Sequence, residues 1–122
     1  MTFGNILEVT TPHPGTREYV RQIVRLADLT VMEDIITDVR FEQCEIVGPA
    51  VVAPLEGVTM RNSRFDAPDS DALFWIVPSS REVVIGAIGL VRVEFFSCKF
   101  SRVGLAIPEH KLEEYKQGFG LG

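Results

Sequence analysis

Apolar residues return along this chain in a broken alternation. In residues 39–46, VRFEQCEI, positions one, three, six and eight are apolar or small and the others are polar. The phrase recurs as VTMRNSRF at 58–65, as VEFFSCKF at 93–100 and, more loosely, as VRLADLTV at 24–31. Period-two alternation marks a half-buried strand. Its one interruption, at positions four and five, predicts a bend at Asp28, Gln43, Asn62 and Ser97, residue types that tolerate turns.

Aligned on the phrase, four columns are expected to face inward: Val24, Val39, Val58 and Val93; Leu26, Phe41, Met60 and Phe95; Leu29, Cys44, Ser63 and Cys98; Val31, Ile46, Phe65 and Phe100. The outward columns then set Glu42 against Arg61 and Glu45 against Arg64 on adjacent strands. Two short strands meeting at a corner, stacked in parallel register, predict a mainly β fold: a short right-handed parallel β-helix, or solenoid, in one domain over 1–122. The copies begin at 24, 39, 58 and 93, so the intervals are unequal, and a β-sandwich whose strands share a pattern is the alternative.

Residues 1–17 carry turn formers and read as an irregular lead-in with a short strand at 6–9. The stretch 18–26 fits helical spacing through Val20, Ile23 and Val24 and also fits a strand, and it is read as a strand because it leads into the first copy. At the other end, Pro108, the spacing of Leu112 and Tyr115, and Gly118 predict a capping helix over 109–117. The long interval holds ALFWIVP at 72–78 and VVIGAIGL at 83–90, either a hidden coil or a hairpin turning at PSSRE. Phe74, Trp75 and Ile76 are adjacent and cannot all face one core. They are the candidate interface residues, and a homodimer through them is expected.

The pattern small-x-large-x-x, used twice per phrase, resembles the pentapeptide-repeat family. It is carried by VRFEQ and CEIVG at 39–48 and by VEFFS, CKFSR and VGLAI at 93–107. ADLTV at 27–31 is also close to it. The resemblance implies a four-sided right-handed β-helix, a non-enzymatic role, and service as an interaction scaffold or a DNA mimic.

Composition narrows the function classes. The 122 residues are 46% hydrophobic, with 17 acidic against 12 basic side chains and a net charge of −5. That balance argues against direct nucleic-acid binding, which needs a basic stripe. No apolar run approaches a membrane span and the first residues do not read as an export signal, so a cytoplasmic protein with reduced Cys44 and Cys98 is expected. His13 and His110 stand outside any metal-ligand spacing, and Asp66, Asp69 and Asp71 lack the glycine and late glutamate of a calcium loop. No catalytic residue, cofactor or metal site is predicted. The expected function is a non-catalytic protein-interaction or scaffold module with an unidentified protein partner. One alternative is a small carbohydrate-binding or carbohydrate-active protein using Asp66, Asp69, Asp71 and Trp75. The other is an acidic DNA-mimic inhibitor.

Overall fold

Every strand pairing in the computed structural model, which describes residues 17–78, 80–81 and 85–118, is parallel. The strands are β1 (Arg17–Val20), β2 (Ile23–Arg25), β3 (Ile35–Glu42), β4 (Glu45–Glu56), β5 (Thr59–Arg61), β6 (Arg64–Phe65), β7 (Phe74–Val77), β8 (Ala87–Phe96) and β9 (Lys99–Pro108). Short helices α1 (Leu26–Leu29) and α2 (Ser70–Leu73) interrupt them. A 3-10 turn, Glu109–Lys111, leads into α3 (Leu112–Gly118). The sheet runs β1-β3-β8-β4-β9-β6, with β2 also on β4, β5 on β8 and β7 on β9.

The broken alternation has a backbone cause. Position five of each copy is left-handed: Arg21, Gln43, Asn62 and Ser97 have φ of 51°, 55°, 55° and 56°. A non-glycine residue there costs about 1–2 kcal/mol, and the neighbouring copy offsets it. Arg21 N donates to Glu42 O, Gln43 N to Phe96 O and Ser97 N to Arg61 O, at 2.8–2.9 Å. A second set of left-handed corners, Asp38, Gly57 and Arg92, precedes three of the copies.

Those hydrogen bonds also correct the predicted register. The first copy is REYVRQIV at 17–24, because Arg17 pairs with Val39, Tyr19 with Phe41 and Val24 with Ile46. Residues 24–31 instead run from β2 into α1, where Leu26 and Leu29, three apart, share a helical face. Leu29 therefore packs on the core from a helix, and Gln22 takes its expected place in the column of Cys44, Cys98 and Ser63. The predicted bend at Asp28 lies in α1, where Arg25 reaches the Asp28 carboxylate at 3.1 Å.

The order of the copies also differs from sequence order. The copy at 93–100 lies between those at 39–46 and 58–65. Phe96 pairs with both Glu42 and Arg61, and Lys99 with both Glu45 and Arg64. The predicted contacts of Glu42 with Arg61 and Glu45 with Arg64 are thus interrupted by a strand. The long interval is the cause: the chain runs out through β7 and returns through β8 into the gap. β7 and β8 do not pair with each other. β7 lies on β9 and the start of β8 on β4, so the segment is not a hairpin. The predicted strand at 6–9 lies outside the described residues, and Arg17 is already in β1 rather than in the lead-in.

The core is a stack. Tyr19, Phe41 and Phe95 lie ring on ring at 5.3 and 5.0 Å. Phe100 meets Phe95 edge-on at 4.9 Å and stacks on Phe65 at 4.3 Å. Val39, Val93, Ile36, Leu90, Val52, Leu105 and Ile107 fill the space around them. Each fully buried side chain of this size contributes about 1.5–3 kcal/mol. Leu112 and Tyr115 pack against this core from the C-terminal segment.

Candidate functional site

The two cysteines are spent on structure. Cys44 Sγ donates to Tyr19 O at 3.3 Å, and Cys98 Sγ to Phe41 O at 3.6 Å. Each thiol thus reaches the third-position carbonyl of the neighbouring copy. Ser63 Oγ, in the same column, accepts from Cys98 N and donates to Arg61 O, both at 3.1 Å. Burial pushes the Cys98 thiol up to about 11, so it stays protonated and is no nucleophile. Both cysteines are buried and unlinked.

Position two, read from the sequence as an outward polar column, is a charged row of mixed sign. Arg40 stands between Glu18 and Glu94 in the pairing. Its Nε is 3.8 Å from Glu18 Oε2, and its guanidinium lies 4.9 Å above the Phe96 ring. Arg40 and Glu94 are each only 6% exposed. Glu94 Oε1 accepts no hydrogen bond among the described residues. Burial pushes the Glu94 carboxyl up to about 7, against the pull of Arg40. The sequence hid this row because it emerges only when the 93–100 copy is laid directly on the 39–46 copy.

The candidate interface residues divide between core and surface. Phe74 pairs with Leu105 and is buried, 7% exposed, while Trp75 and Ile76 are 59% and 51% exposed. Trp75 lies over Gly104, where an added Cβ would sit 2.7 Å from its Nε1 and 3.0 Å from its Cδ1. Gly89 serves Leu55 and Ile35 likewise, since a Cβ there would meet Leu55 Cδ1 at 2.8 Å and Ile35 Cγ1 at 3.4 Å. Ile35, Leu55 and Ile85 are all exposed. The outer face is therefore a floor of glycine and alanine between raised apolar side chains. A groove of about 400 Å³ follows it past Ile35, Ala53, Leu55, Gly89 and Ala106, with Asp34 and Arg81 the charged residues of its lining. A second, of about 380 Å³, passes Trp75, Ile76, Ile85 and Ala87.

The three aspartates part ways. Asp66 accepts from Arg102 N through both carboxylate oxygens, at 3.1 and 3.3 Å, and shares a cleft of about 420 Å³ with Trp75 and Arg102. Asp69 Oδ1 accepts from Ala72 N at 2.9 Å, at the start of α2. Asp71 is exposed in the first turn of that helix. His110 is exposed in the 3-10 turn, and His13 lies outside the described residues. Among the described residues no three His, Cys, Asp or Glu side chains are grouped to hold a metal ion. No described helix is long and apolar enough to cross a membrane. No protein-family model, curated protein or solved structure matches the chain.

Proposed function

We propose that the chain is a small right-handed parallel β-helix acting as a non-catalytic protein-interaction module, with the face around Trp75 as its contact surface. The observation that carries this reading is the outer face itself. Ile35, Leu55 and Trp75 stand exposed above a floor of small residues, and the exposed Ile76 and Ile85 line the adjoining groove. Together such side chains amount to several hundred Å², on the order of the patch that marks a contact surface. The repeated left-handed corners and wholly parallel pairing support the helical winding. A photo-crosslinking residue placed at Ile76 in the full chain, inside producing cells, should give discrete adducts. The same residue at Lys99, which lies away from the groove, should give few. Equal yields at both positions would sink the reading.

One observation favours a carbohydrate-binding alternative: Trp75, Asp66 and Arg102 border one cleft, and an exposed indole beside hydrogen-bonding groups suits a sugar ring. Trp75 is the single tryptophan, so a saturable change in its fluorescence on titration with an oligosaccharide series is the deciding signal. The DNA-mimic alternative is the weakest. Arg40 between Glu18 and Glu94, and Lys99 between Glu45 and Arg64, break any row of carboxylates.

A further inference from the structure

Taking the Trp75 face as a contact surface, as proposed above, we infer that its occupant is a second copy of this chain, docked face to face about a two-fold axis. The face carries its own complement. The pairing order β3-β8-β4-β9-β7 sets Asp34 and Ile35 beside one edge and Trp75 and Ile76 at the other. The small residues Gly89, Ala53 and Gly104 lie between them. A two-fold axis through that floor swaps the edges. Trp75 of one copy then comes down beside Leu55 and Ile35 of the other, into the groove of about 400 Å³ that passes Ala53, Gly89 and Ala106.

The charges make the same case. The chain carries a net charge of −5, so two copies repel over most of their surface. Among the described residues, this groove holds one acid, Asp34, and one base, Arg81, and neither is in an ion pair with another described residue. The two-fold brings Asp34 of each copy towards Arg81 of the other, making two symmetric pairs. A surface built for an unrelated acidic or basic partner would carry an excess of one sign. Among the described residues, the lining of this groove holds one of each.

The test is sedimentation equilibrium of the full chain from about 1 to 100 μM, with circular dichroism confirming that each variant is folded. The wild type should be a dimer. Trp75→Asp, which puts a charge on the face, and Ala53→Arg, which fills the floor, should both be monomers. Asp34→Arg and Arg81→Asp should each weaken dimerisation about tenfold or more. The double variant carrying both swaps should recover to within about threefold of the wild type. A monomeric wild type at the top concentration overturns the inference, and so does a Trp75→Asp variant that stays dimeric. Failure of the double swap to recover overturns the two-fold arrangement. If the wild type is monomeric and crosslinks from position 76 still reach other proteins, only the second copy is wrong. If those adducts are missing as well, the contact-surface reading falls with it.

Discussion

Glu94 shows how one residue can set the response of the fold to pH. Its carboxyl is raised from 4.5 to about 7, first by burial. The groups facing it are Arg40 on β3 and Thr59 on β5, with Glu18 beyond Arg40. Because the folded state binds the proton more tightly than the unfolded chain, the protonated acid contributes stability in full below about 4.5, and that contribution is lost as pH rises through about 7. Glu94→Gln should lose less stability than the wild type between pH 5.5 and 8.5, by roughly 1–2 kcal/mol once Arg40 is allowed for. Urea melts at the two pH values check this, and parallel curves for both proteins would contradict it. The corner residues give a second test. Ser97→Val places a β-branched side chain at φ 56° and should cost about 1–2 kcal/mol, whereas Ser97→Gly should be neutral or better. In the thiol column, Cys44→Ser should be tolerated and Cys44→Leu should lose about 1–3 kcal/mol, because the side chain is buried against Tyr19 O. Thermal melts of these variants rank them directly.

At the scale of elements, the unit written in the sequence was the bent phrase, and three of its four predicted corners, Gln43, Asn62 and Ser97, are where the backbone turns left-handed. The fourth, expected at Asp28, is Arg21. The tyrosine and valine of REYVRQIV carried the signal, but its arginine and glutamine at inward positions obscured it. Row order was not legible at all, because in-register parallel stacking accepts any order that keeps columns apolar. The observed order can be measured. Adjacent strands lie about 4.8 Å apart and next-but-one strands about 10 Å. Spin labels at 64 and 99, or at 45 and 99, should therefore broaden each other strongly, and labels at 45 and 64 less. Comparable broadening for all three pairs would contradict the placement of β9 between β4 and β6.

The whole molecule is a sheet whose outermost strands each have a single partner among the described residues: β1, β2, β5, β6 and β7. Leu112 and Tyr115 add apolar cover to the core from the C-terminal segment, and Leu112→Ala should lower stability by about 1–2 kcal/mol without changing the far-ultraviolet spectrum outside the helix band. The sequence by itself determined the local physics. Period-two alternation with one break specifies half-buried strands and a corner, small residues at position six specify a column of buried thiols and a half-buried hydroxyl, and Pro108 with the Leu112–Tyr115 spacing specifies the last helix. These are short-range consequences of side-chain size and polarity. Only the tertiary structure decided which copies touch, because that depends on where the long excursion between the copies at 58–65 and 93–100 re-enters the stack. Everything read across strands waited on that choice: the buried Arg40–Glu94 row, Trp75 lying over Gly104, and Asp34 sharing a groove with Arg81. Side chains far apart in sequence acquire a common environment only when the pairing order places their strands side by side.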